Sequence, residues 1–192
     1  LQTVCLTLRV LSQDDDHEIM LQRSNPQIQE LVEVVEARSI EYARYFIRKI
    51  LESMSEGACV YWAITLKNAP KLIGTICLWN LSLEHASAEL GYSLHPDFQG
   101  NGYMQEAVKV VEDFGFNIMK AHRIIAYPHV KNAASVRLLE KCGYKPDGIR
   151  DVFYIYCKSL SCIAETSKML LTSYVRKLYG GYIDFVQNSY AP

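Results

Sequence analysis

The chain has 192 residues, 49% apolar and 21% charged, and its 20 basic side chains nearly match its 21 acidic ones, leaving a formal charge of −1. That is enough polypeptide for one globular domain with a sizeable core, and the composition excludes disordered and fibrous classes. The balanced charge excludes broad coating of a polyanion, so no nucleic-acid partner is expected, although a local phosphate site remains open.

No apolar run reaches the roughly 18 residues that a membrane helix needs. The opening Leu1-Gln2-Thr3-Val4-Cys5 lacks a basic-then-apolar leader pattern. The expectation is a cytoplasmic protein with no membrane partner. Six cysteines are scattered without a CxxC pair, and the five histidines form no HExxH. Buried reduced thiols are expected, with neither disulfides nor a metal.

Residues 6–11 (LTLRVL) alternate and read as a strand, and the cluster Asp14, Asp15 and Asp16 then starts a helix whose N-terminal dipole it complements. Ser24-Asn25-Pro26 breaks that helix. From about residue 35 to 55, Ala43, Phe46, Ile47, Ile50, Leu51 and Met54 recur at helical spacing, up to Gly57. Three strand-like runs follow, 59–66, 72–81 and 86–94, with connections short enough for hairpins. Met104, Ala107, Val108, Val111, Phe114, Gly115 and Ile118 mark a helix of about 16 residues. A strand over 123–127 and a short helix over 134–142, ended by Gly143, complete the pattern. Strand, crossover helix and strand predict a parallel pair inside an otherwise antiparallel meander. The sum is an α/β single domain spanning residues 1–192.

Pro96 to Met104 joins the third meander strand to the long helix, and it contains Gly100-Asn101-Gly102. Two glycines let the backbone turn tightly and present successive N–H groups, and the helix start adds more, an arrangement suited to pyrophosphate. A glycine-rich turn without a ligand is the competing reading. No Walker lysine follows, and Gln105 stands where a Rossmann fingerprint needs glycine. On the strand before, Glu89 shares a face with Ser87, Gly91 and Ser93, while Ala88, Leu90, Tyr92 and Leu94 share the other. A partly enclosed carboxylate there is a candidate general base, against the alternative of a surface ion pair. Asn132 and Ser135 suit the N-cap and first turn of the short helix.

The run Glu89-Leu90-Gly91-Tyr92-Ser93-Leu94-His95-Pro96-Asp97-Phe98-Gln99-Gly100-Asn101-Gly102-Tyr103-Met104-Gln105-Glu106-Ala107 resembles the acetyl-CoA motif of the GNAT N-acetyltransferases. More narrowly it resembles their ribosomal-protein N-terminal alanine acetyltransferase (RimJ/RimL-like) branch. Asn132-Ala133-Ala134-Ser135 and the closing Gly143-Tyr144 match that branch's Asn-x-x-Ser helix and Gly-aromatic ending. The resemblance covers about residues 6 to 155. It implies a mixed, mostly antiparallel sheet splayed at the cofactor site, with helices on both faces and acetyl-CoA as co-substrate. By that resemblance the amides of Gln99, Gly100, Asn101, Gly102, Tyr103 and Met104 hold the pyrophosphate. Backbone of Leu94, His95 and Pro96 meets the pantetheine, and Asn132 also contacts the cofactor. Ser135 lies near the thioester sulfur, where it could protonate the leaving thiolate. Glu89 takes a proton from a primary amine, foremost a protein or peptide N-terminal α-amine. A small amine of antibiotic or polyamine type is the alternative acceptor. Acetyl-CoA binding without turnover is the alternative from another class, and either a monomer or a homodimer is compatible.

The family usually reaches its last strand soon after the position of Ile155. Here residues 181–186 read as the closing strand, and Leu160, Ile163, Leu170, Leu171, Tyr174 and Leu178 recur partly at helical spacing. An inserted helical segment is therefore expected at about 157–179, packed outside, in a dimer contact or as a lid.

Overall fold

The computed structural model describes residues 1–29, 39–82 and 84–160. Strand β1 (Leu6–Arg9) leads through a 3-10 turn into α1 (Asp16–Ser24). Asp15 closes the 3-10 turn ahead of this helix, its carboxylate accepting the Ser12 N–H at 2.8 Å and both Arg9 guanidinium nitrogens at 2.7 and 2.6 Å. A two-pronged, charge-assisted contact of this kind fixes the strand-to-helix corner. Pro26 opens the short α2 (Pro26–Gln29). Helix α3 (Ile40–Ser55) begins where Ser39 accepts the Tyr42 N–H at 3.2 Å, so the described helix starts later than the periodicity suggests.

The meander is β2 (Val60–Leu66), β3 (Ala69–Ser82) and β4 (Ser87–Leu94). Consecutive residues of β2 show how the sheet is covered, because their side chains point to opposite faces. Tyr61 meets Phe46 of α3 edge-on at 6.0 Å, while Trp62 meets Phe114 at 5.2 Å. Phe114 continues α4 (Tyr103–Asp113) as a π-helical turn over Phe114–Ile118. Helices therefore lie on both faces. Gly115 lets this turn press against the sheet: a Cβ there would come within 2.9 Å of Ile124 and 3.1 Å of Leu78 side-chain carbons.

After β5 (Arg123–Ala126) come α5 (Ala133–Lys141), β6 (Lys145–Arg150) and β7 (Phe153–Ser159). Among the described residues the sheet has seven strands in the order β1-β2-β3-β4-β5-β7-β6, and only β4 and β5 pair in parallel. That pair has three registered positions, Ser87–Arg123, Ala88–Ile124 and Glu89–Ile125. Beyond Glu89, β4 runs on to Leu94 while β5 leaves it. The sheet opens there.

One sequence expectation changes. The hydrophobic spacing puts the start of the inserted segment at about residue 157, but Cys157, Lys158 and Ser159 belong to β7, opposite Ile125, Ile124 and Arg123. Pairing with β5 outweighs the polar look of this run, because Lys158 Nζ finds Glu112 at 2.8 Å and the Cys142 carbonyl at 2.7 Å. The rest of that segment and the strand expected at 181–186 lie outside the described residues. Among the described residues no helix is long and apolar enough to cross a membrane, and no cluster of metal-ligating side chains forms.

Candidate active site

Two clefts flank the opening between β4 and β5. The first, of about 550 Å³, is bounded by the glycine turn, the end of β4 and one side of α5. Gly100 and Gly102 adopt φ of +78° and +79°, a left-handed backbone that strongly favours glycine. Their missing side chains also matter, since a Cβ at either would point into open space beside the cleft. The first α4 bond runs from the Glu106 N–H to the Gly102 carbonyl at 3.0 Å, so Tyr103, Met104 and Gln105 keep N–H groups without intrahelical acceptors. With the helix dipole, these suit a phosphate. Arg137 and Lys141 of α5 face the same cleft and add positive charge. The donors present fit a nucleotide pyrophosphate.

Of the residues named from sequence for this role, Leu94, Gln99, Gly100, Gly102, Tyr103, Met104 and Asn132 line the cleft. The Asn101 side chain braces the turn, its Nδ2 donating to the Phe98 and Gln99 carbonyls at 3.3 and 3.1 Å. The His95 N–H is spent on the Ile73 carbonyl at 2.8 Å, and Pro96 opens a 3-10 turn over Pro96–Phe98. Strand backbone groups alternate between edges. With the His95 N–H facing β3, those of Leu94 and Tyr92 face the opening, beyond the last β4–β5 pair at Glu89–Ile125. The Leu94 carbonyl accepts from Gln99 Nε2 at 3.1 Å.

The second cleft, of about 610 Å³, lies on the other side of the opening and contains Glu89. Glu89 is half-buried, and Asn80 Nδ2 donates to its Oε2 at 3.3 Å. Burial raises its carboxyl above the usual carboxylate range, and the Asn80 bond offsets this only in part. A carboxylate tuned upward is a better base near neutral pH. The opposite wall carries Tyr127, His129 and Phe153.

Tyr92, Asn132 and Ser135 line both clefts. Asn132 caps α5, its Oδ1 accepting the Ser135 N–H at 3.0 Å. Ser135 is buried, and its Oγ lies 2.5 Å from Tyr92 Oη in a hydroxyl–hydroxyl hydrogen bond. Burial pushes the Tyr92 phenol up to about 12.

Residues 6–145 match the family model described as Acetyltransferase (GNAT) domain. The chain belongs to the GNAT acetyltransferases, and it is an N-acetyltransferase. It is 32% identical over 149 residues to the uncharacterized N-acetyltransferase YoaA of Bacillus subtilis, covering 78% of this chain and 84% of that protein. Among solved structures, the ribosomal-protein-S5-alanine acetyltransferase of Vibrio fischeri matches with a TM-score of 0.72 at 22% identity, over 83% of this chain and 95% of that one. The spermidine N-acetyltransferase of Vibrio cholerae, solved with CoA and spermine, matches with a TM-score of 0.69 at 22% identity, over 88% and 97%. At such identities these structures bear out the fold alone. The sequence-predicted mostly antiparallel sheet, open at the β4–β5 junction, is the GNAT architecture of this acetyltransferase.

Sequence reasoning missed Tyr92, because strand parity puts it with Ala88, Leu90 and Leu94. The available signal was a phenol on an otherwise apolar face, since a buried tyrosine hydroxyl needs a partner. Trp79, Tyr127, His129 and Phe153 were also missed. They come from three separate stretches, and no local pattern joins them. Tyr144, the aromatic residue that follows the α5 cap, is a packing residue, buried at 3% exposure.

Proposed function

We propose that this acetyltransferase moves the acetyl group of acetyl-CoA to a primary amine, foremost the α-amine of a peptide N-terminus, by direct attack. The observation that carries the reading is the meeting of a phosphate-suited cleft and a carboxylate-bearing cleft at Tyr92, Asn132 and Ser135. Acetyl-CoA bound along the first cleft supplies the activated acyl group. Every other task falls to the chain. Glu89, directly or through one water, takes a proton from the acceptor ammonium. An α-amine with a pKa of about 7.7 to 8.0 needs the least help at neutral pH, whereas a lysine-like amine needs far more. Strand amides of β4 facing the opening are suited to stabilise developing negative charge on the acyl oxygen. Ser135 is suited to donate to the departing thiolate. Among the described residues, Glu89 and Asp151 are the carboxylates on the acceptor cleft, beside one arginine, Arg150. That supports a singly charged acceptor over a polyamine.

The test is release of free CoA thiol from acetyl-CoA with a panel of peptides and small amines, the acetylated product being located by mass spectrometry. Thiol release coupled to peptide α-amine acetylation is expected. Acetyl-CoA binding with no release for any acceptor would make the protein a binding module.

A further inference from the structure

Resting on that reading of a peptide acceptor, we infer that the first residue of the preferred peptide is aromatic or large and aliphatic. The acceptor cleft is built to hold such a side chain beside its amine. Trp79 stands directly across from Glu89 in the β3–β4 register, so the indole and the carboxylate share one face of the sheet. Gly91 lies beside that ring. A Cβ there would be in ordinary contact with Trp79 Nε1 at 3.5 Å and Cδ1 at 3.8 Å and crowded by Cys77 Sγ at 3.0 Å, so the indole sits next to the glycine backbone. The ring is 48% exposed, an unusual state for a tryptophan fixed against a strand.

Across the cleft, Phe153 opens β7 and bridges to His129, the two rings meeting edge-on at 5.5 Å and 90°. Tyr127 lies two residues before His129 and lines the same wall. Four aromatic rings, Trp79, Tyr127, His129 and Phe153, therefore border a cleft of about 610 Å³, far more room than a methyl side chain fills. Arg150 and Asp151, at the β6–β7 turn, bring opposite charges. The chemistry thus calls for one ammonium, held at Glu89, attached to an apolar body held between Trp79 and Phe153.

The experiment compares kcat/KM for otherwise identical peptides beginning with Phe, Leu, Ala or Asp, alongside 2-phenylethylamine and spermidine. Peptides beginning with Phe or Leu should exceed the Ala peptide by about 10- to 200-fold, the range that apolar pockets reach for added hydrocarbon. Trp79→Ala and Phe153→Ala, each first checked for an intact thermal transition, should collapse that ratio chiefly through KM. Phe153→Leu should restore part of it. Ala or Asp peptides turned over as well as the Phe peptide would overturn the apolar preference and leave the peptide reading standing. Turnover of 2-phenylethylamine with no turnover of any peptide would overturn the peptide reading and keep the apolar cleft. Spermidine preferred over every peptide, or no turnover across the panel, would overturn both.

Discussion

Ser135 Oγ lies 2.5 Å from Tyr92 Oη, at the junction of the two clefts. Burial holds the phenol up at about 12, so at neutral pH it stays protonated and can donate. A serine oxygen that accepts from Tyr92 keeps its own proton free to donate, as the proposed protonation of the thiolate requires. Asn132 fixes the serine from the other side through its backbone N–H.

Tyr92 and Ser135 should therefore act as one unit. Ser135→Ala should lower kcat by about 10- to 100-fold and Tyr92→Phe by about 10-fold, consistent with a hydrogen bond worth about 1 to 2 kcal/mol or more in a closed site. The double variant should be no slower than the worse single one, because coupled groups are not additive. Steady-state rates, with acetyl-CoA affinity from calorimetry as a control, check this. Fully additive losses would separate the two residues.

Glu89→Gln keeps the shape and removes the basic site. Turnover should fall about 100- to 10,000-fold while acetyl-CoA affinity changes little. The wild-type rate should fall as pH drops through the carboxyl's raised value, since only the carboxylate accepts a proton. The variant should lose that acidic limb, and its deficit should shrink at high pH, where the acceptor is already neutral. A pH–rate profile that keeps its shape in the variant would reduce Glu89 to holding the ammonium in place.

At the glycine turn, conformation and clearance can be separated. Gly102 has φ +79°, and a Cβ added to it would have nothing within 4 Å, so a side chain meets open cleft but a strained backbone. Gly102→Val should lower stability by about 1 to 2 kcal/mol and weaken CoA binding. Gly102→Asn tolerates the left-handed region, so it should keep its thermal midpoint and still bind CoA more weakly. Unchanged CoA affinity in the Asn variant would remove this turn from the phosphate site.

Much of this was legible because the deciding patterns are local. The period of α4, the alternation on β4 and the glycine turn each sit within a few residues. The π turn at Phe114–Ile118 was not legible, because it keeps helical spacing while widening the backbone. Tyr92 was hidden by strand parity, and its partner lies 43 residues away. The end of β7 escapes a sequence reading for a related reason. Lys158 looks like the edge of a polar loop until Glu112, 46 residues earlier in the chain, is placed beside it.

That lysine gives the last prediction. Lys158 Nζ donates to Glu112 Oε2 at 2.8 Å and to the Cys142 carbonyl at 2.7 Å, tying β7 to α4 and to the end of α5. Glu112 is only 5% exposed. Lys158→Met would strand a buried carboxylate, a change that costs about 3 kcal/mol or more when a pair is fully enclosed. The lysine side chain is 32% exposed, so a loss at the lower end, about 2 kcal/mol, is expected. Burial already raises the Glu112 carboxyl despite the lysine. A group raised on folding adds stability at low pH and loses it as pH climbs through the folded value. Without Lys158 the rise is larger, so the variant's deficit should widen from about pH 5 to about pH 8 and narrow on acidification. Glu112→Gln in the same background should recover part of the loss and flatten the pH dependence. Denaturant unfolding at both pH values checks this, and a deficit independent of pH would assign the loss to packing of the lysine stem.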